Sequence, residues 1–156
     1  TFLAVALLLA IVAHAHAADI SWRRPEGGTF SSAGSWFGGV VPGAGDIAHF
    51  RLSTPGPFGS LPPYTVSFTA LASNVRLIVE EDTVVFDLNG LVYETTNPTI
   101  AMALGTVSGM TGQLTVTDGI VANTAATTDA WIKASTIEPD WSTATITRHA
   151  GRFRCR

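Results

Sequence analysis

Glu80, Glu81 and Asp82 are the densest run of carboxylates in the chain. Adjacent carboxylates on a turn could hold Ca²⁺ through their oxygens. A glycosidase pair instead needs two carboxyls held at a set separation across a cleft. Neighbours on an extended chain point to opposite faces, so Glu80 and Glu81 suit each other poorly. The favoured reading is a solvated turn between two strands, with Ca²⁺ as the alternative. Arg76 lies just upstream, and a polysaccharide lyase pairs a basic group with acidic Ca²⁺ ligands on one sheet face. Arg76 belongs to the preceding strand, however, and no second acidic group stands with it. His49, in Ala48-His49-Phe50, reads as a strand residue with a satisfied ring. No Ser-His-Asp or Cys-His set can be assembled from the sequence.

The glycines of Gly38-Gly39-Val40-Val41-Pro42-Gly43-Ala44-Gly45 lack the Lys-Ser/Thr of a phosphate-binding loop, and no helix pattern follows them. They read as turn residues. The tryptophans Trp22, Trp36, Trp131 and Trp141, with Phe37, could stack on sugar rings. In the opening segment burial is the favoured role, at roughly 25 cal/mol for each Å² removed from water. Trp36 and, above all, Trp141 in its polar loop stand as candidate ligand-binding residues. Glu80, Glu81 and Asp82 stand as the candidate Ca²⁺ ligands.

The elements that must position these residues are extended. Residues 2–13 form an apolar run too short to span a membrane. They are followed by Ala15 and Ala17 at the spacing a signal peptidase reads, so residues 1–17 are expected to be a signal peptide cut after Ala17, its charged start lying upstream of Thr1. The formal net charge of −3 and the 13% of charged residues give no electrostatic footprint for nucleic acid. A single cysteine, Cys155, excludes an internal disulfide. After Ala18 no helical period recurs. Short alternating runs do, at Tyr64–Phe68, Val75–Val79, Val84–Leu88, Leu91–Glu94 and Leu114–Thr117, punctuated by Asn89-Gly90 and Asp118-Gly119. Shifting the chain by thirty residues lays 102–117 over 132–147, Leu114 on Ala144, Val116 on Ile146 and Thr115 on Thr145. That period predicts stacked coils, each covering the apolar face of the last. Trp22, Phe30, Trp36, Phe37 and Phe50 precede the coils and are expected to close the open end of the stack. Pro42-Gly43 is expected at the centre of a turn.

Gly27, Gly28 and Phe30, followed by Trp36, Gly38, Gly39, Val41, Pro42, Gly43, Gly45, Asp46, Ala48 and Phe50, carry a resemblance. The pattern resembles the N-terminal segment of large exported bacterial proteins with autotransporter-like β-strand repeats, which often end in a PEP-CTERM sorting signal. Gly112, Leu114, Thr115, Val116, Thr117 and Gly119 are similar to the repeat unit of that group, and Ala144–Thr147 with Gly151-Arg152-Phe153 to the unit that follows. The likeness covers roughly residues 22 to 153. It implies a parallel β-helix outside the cell and no settled enzymatic activity. The second unit departs from it, with Glu138-Pro139-Asp140-Trp141 and Arg148-His149 where the group has small residues.

The expected fold is therefore all-β: a parallel β-helix (β-solenoid) over 64–156, cut short at its C-terminus, with a Gly-rich aromatic cap over 18–63 behind a signal-peptide helix. The expected role is non-enzymatic, as a structural or adhesin-like segment of a cell-surface or extracellular protein with no stable membrane span once processed. Its partners would be other surface components or glycans. The alternative is a carbohydrate-binding or polysaccharide-degrading β-helix module. No cofactor is expected beyond the Ca²⁺ alternative.

Overall fold

The computed structural model describes residues 16–53, 61–105 and 112–124, together with the backbone of 131–134, 143–149 and 152–154. The apolar run of the expected signal peptide, Trp141 and Cys155 lie outside the described residues. Among these residues twelve strands follow in order: β1 (Asp19–Ser21), β2 (Gly28–Thr29), β3 (Ile47–Phe50), β4 (Tyr64–Ser67), β5 (Ala72–Asn74), β6 (Arg76–Val79), β7 (Thr83–Thr95), β8 (Met102–Leu104), β9 (Gln113–Asn123), β10 (Trp131–Ala134), β11 (Thr143–His149) and β12 (Arg152–Arg154). No α-helix occurs among the described residues. Ala33–Ser35 and Phe37–Gly39 form two short 3₁₀ turns.

The strands make two sheets. One is fully parallel, in the order β1-β3-β6-β8. The other runs β12-β11-β9-β7-β4-β2, with β5 alongside the second half of β7 and β10 alongside that of β9. Parallel neighbours need a crossover between them. From β3 to β9 that crossover is the other sheet, because the chain passes back and forth between the two. The protein is thus all-β, as the alternating runs led one to expect; one sheet is fully parallel, and the other is parallel from β2 to β9 and antiparallel at β10, β11 and β12.

Asn89-Gly90 and Asp118-Gly119 turn the chain without reversing it. Asn89 and Asp118 take φ of 56° and 46° and Gly90 takes 77°, in the left-handed region that Asn, Asp and Gly tolerate. The pairing of β7 with β9 steps from Asp87↔Thr117 to Leu91↔Gly119, and both halves stay parallel. The two corners therefore stack. Gly119 is pressed so closely on the first corner that a Cβ there would strike Leu88 and the Leu91 carbonyl. The turn ahead of β3 is also shifted from expectation. It closes from Asp46 N to the Gly43 carbonyl at 3.0 Å, so Ala44-Gly45 is its centre rather than Pro42-Gly43. The Asp46 carboxylate, accepting from Gly43 N at 2.9 Å, selects that position.

The thirty-residue offset is present, but not where the sequence placed it. It joins β7 to β9, with Val84 beside Leu114 and Phe86 beside Val116. The two segments matched by the repeat do not stack as parallel coils. β11 lies next to β9 but runs antiparallel, pairing Val116 with Ala144, Leu114 with Ile146 and Thr117 with Thr143. β10 pairs with β9 and not with β8. The reason is that Leu114–Thr117 and Thr143–Thr147 both simply alternate apolar with threonine. Thr115 meets Thr145 in either sense, and period-2 alternation leaves direction free.

Side chains between the sheets grade from aromatic to aliphatic along the chain. Trp22, Phe30, Trp36, Phe50, Phe68 and Phe86 lie at one end and Val79, Leu104, Leu114 and Val116 at the other, in one buried cluster. Trp22 and Trp36 meet edge to face at 5.0 Å, and Phe30 stacks on Phe68 at 4.8 Å. Both indoles find acceptors, Trp22 Nε1 donating to Arg24 O at 2.8 Å and Trp36 Nε1 to Phe30 O at 2.7 Å. Each such ring contributes roughly 4–6 kcal/mol by area, an upper bound. Phe37 breaks the expectation for the opening aromatics, being 59% exposed. It begins the 3₁₀ turn that follows Trp36, and the buried indole carries the ring after it outward.

Candidate functional site

Trp36 offers no face to a ligand. It is fully buried against Trp22, Phe30 and Phe50, so its place is in the core and not in a binding site. Trp141, the other aromatic candidate, falls outside the described residues.

The three neighbouring carboxylates separate. Asp82 turns inward, 1% exposed, and accepts from Leu52 N and Ser53 N at 2.8 Å each and from the Tyr64 hydroxyl at 2.5 Å. With those three donors on it, this carboxylate ties the chain after β3 to the start of β4. Burial and the Asp82 charge push the Tyr64 hydroxyl far above the usual phenol range. Glu80 turns the other way, towards His49, and Glu81 lies partly exposed between them. The cause is the alternation of an extended chain, which sends residues 80 and 82 to one side only where the strand stays regular. Here the strand ends at Val79 and a bend intervenes. Among the described residues no group of three His, Cys, Asp or Glu side chains is placed to hold a metal ion.

Arg76 and Glu80 do not converge either. Four residues of extended chain separate them, roughly 13 Å. Arg76 pairs in register with Ile47, one end of β6, and its Nε is buried with no hydrogen-bond partner among the described atoms.

What the sheets do bring together is His49, Asp19 and Glu80. Ala48 and Phe50 face the core, so His49 points to the outer face of the β1-β3-β6-β8 sheet. It is only 4% exposed there. Its Nδ1 sits 2.9 Å from Asp19 Oδ1 and 3.2 Å from Oδ2. A carboxylate can only accept, so Nδ1 carries the proton. On the other side, Nε2 lies 3.2 Å from Glu80 Oε1, close enough for an ion pair but out of line for a hydrogen bond. The carboxylates come from β1 and from the residue after β6, the two strands that flank β3. Ser21 is the register partner of His49 on β1. It makes no Ser-His-Asp set, because the ring nitrogens face Asp19 and Glu80.

Beside this trio a shallow concavity of about 300 Å³ opens at the β1 edge of the sheet, lined by Asp19, Ile20, Ser21, Phe37 and Arg51. Asp19, Ser21 and Arg51 share the outward parity of His49. A second concavity, lined by Phe30, Val41, Pro42, Leu71 and their neighbours, carries no charged side chain.

Phe37 was among the aromatics the sequence offered for sugar stacking, though burial was the favoured role for it; Asp19 and Arg51 did not stand out. The available trace was the rung spacing: Asp19 lies 28 residues before Ile47, and Ile47 lies 29 before Arg76, so outward residues at those offsets are neighbours. Without the pairing there was no reason to choose that offset over another.

No protein-family model matches the chain, and neither a curated protein nor a solved structure matches it. No helix among the described residues is long and apolar enough to cross a membrane, which leaves strand-built membrane proteins unaddressed.

Proposed function

We propose that this chain is a segment of an exported bacterial cell-surface or extracellular protein, folded as a parallel β-solenoid and serving as stalk, coat or adhesin rather than as an enzyme. The observation that carries the reading is the ladder of β4, β7 and β9, parallel throughout, coupled to a second parallel ladder of β3, β6 and β8 through which the chain returns each time. Repetition of that kind builds length at low sequence cost, since each rung needs only an apolar inward face and a neighbour. The aromatic segment 18–63 would close the first rung, and residues 1–17 would direct export. Against catalysis stands the histidine set found among the described residues: a buried ring between two carboxylates, with no nucleophile of the described residues on either nitrogen.

The test is expression of the complete reading frame in a bacterial host, followed by cell fractionation and N-terminal sequencing. The expected product is found outside the cytoplasm and begins at Ala18. Amide exchange should be slowest at Val84, Phe86, Leu114 and Val116. An uncleaved cytoplasmic product, or turnover of a polysaccharide by the purified protein, overturns the reading.

A further inference from the structure

We propose that the concavity at the β1 edge of the four-stranded sheet binds one neutral sugar ring of a polysaccharide, with Phe37 as the stacking surface, Arg51 as hydrogen-bond donor and Asp19 as acceptor. Single exposed apolar side chains are ordinary on protein surfaces, and Val40, Leu71 and Ile100 are of that kind here. Phe37 differs because its ring shares one concavity with a carboxylate, a guanidinium and the Ser21 hydroxyl. A pyranose presents the matching surfaces: an apolar face of C–H groups, and a rim of hydroxyls that both donate and accept.

Charge chooses among sugars. Asp19 and Arg51 cancel, so the site has no net preference for an ion. A uronate would meet the Asp19 carboxylate, and an amino sugar would meet the Arg51 guanidinium. The chain as a whole carries −3, which further disfavours a polyanion. The volume, about 300 Å³, sits at the lower end of small-ligand pockets, as suits a single ring of a longer chain.

The groups are held before any ligand arrives. Asp19 is oriented by His49 Nδ1, and that ring is itself buried. One bond from His49 leaves the Asp19 carboxylate with acceptor capacity. Phe37 follows the fully buried Trp36, and its turn is closed by Gly39 N donating to Trp36 O at 3.2 Å. Among the described residues Arg51 enters no ion pair. Prior fixing of the contacts lowers the ordering cost of binding.

Isothermal titration of the full chain with maltohexaose, cellohexaose and mannohexaose, and with a galacturonan hexamer as the acidic counterpart, tests the site. Saturable binding of at least one neutral oligosaccharide is expected. Phe37→Ala and Arg51→Gln should each weaken it by at least about fivefold, the scale of one aromatic or charge-assisted contact. Leu71→Ala should leave it unchanged. All three positions are exposed or surface-lining, and circular dichroism checks that each variant keeps its fold. Absence of saturable binding to all three neutral sugars, preference for the galacturonan, or full affinity in Phe37→Ala overturns the proposal. None of these outcomes bears on export or on the order of amide exchange, so the site and the structural role fail separately.

Discussion

The Tyr64 hydroxyl donates to the Asp82 carboxylate at 2.5 Å inside the fold, between the start of β4 and the chain just ahead of β7. The same carboxylate holds the amides of Leu52 and Ser53. Removing the acceptor strands three donors at once, whereas removing the phenol oxygen strands none that are as short of alternatives. Asp82→Ala should therefore lower the unfolding free energy by about 3 kcal/mol or more, and Tyr64→Phe by about 1 kcal/mol. Urea denaturation of the two variants gives the comparison. Equal losses would mean that the backbone amides find water.

Both tyrosines of the chain, Tyr64 and Tyr93, are buried, and burial raises both hydroxyls well above the ordinary phenol value. Below about pH 10 the folded and unfolded chains both keep these protons, and stability does not depend on them. Above it the unfolded chain binds fewer protons than the folded one. Stability then falls by up to about 1.4 kcal/mol per pH unit for each tyrosine. Alkaline titration followed by phenolate absorbance should show no tyrosine ionising before the chain unfolds. Tyr64→Phe with Tyr93→Phe should flatten the loss.

Gly119 is where one strand corner rests on another. Its Cβ-sized space is filled by Leu88 and by the Leu91 carbonyl, and backbone cannot move aside as a side chain can. Gly119→Ala should cost about 2 kcal/mol or more. Gly45→Ala, with open space at its Cβ position, should cost little. Thermal melts of the two variants rank them.

The direction of β11 can be read by cross-linking. In a Cys155→Ser background, Thr117→Cys with Thr143→Cys should form a disulfide on mild oxidation, since these residues are register partners and paired strands bring Cα atoms within the bond's reach of about 4.4–6.8 Å. Thr117→Cys with Thr147→Cys, the pairing of a parallel coil, should not. Mass spectrometry of the oxidised variants separates the two arrangements.

How much of this was legible in the sequence differs from element to element. Alternation named the strands: Tyr64, Val66 and Phe68 inward, Val84, Phe86 and Leu88 inward, Leu114 and Val116 inward. Asn89-Gly90 and Asp118-Gly119 named the corners, because only a few residue types accept a positive φ. The absence of an α-helix among the described residues after Ala18 followed from the same period. The candidate site was far less legible. Trp36 looked available until its neighbours were placed around it. Glu80, Glu81 and Asp82 looked like one group until the bend after Val79 sent Asp82 to Tyr64 and Glu80 to His49.

The sequence by itself determined which residues of the regular strands face in and that the chain turns at Asn89-Gly90 and Asp118-Gly119, since both are set within a few residues by side-chain alternation and by backbone sterics. The tertiary structure alone decided which strand lies beside which, and in which direction. A strictly alternating run such as Leu114–Thr117 fits a neighbour either way, and Asp19, His49 and Glu80, spaced 30 and 31 residues apart, meet only once the register of three strands has been fixed.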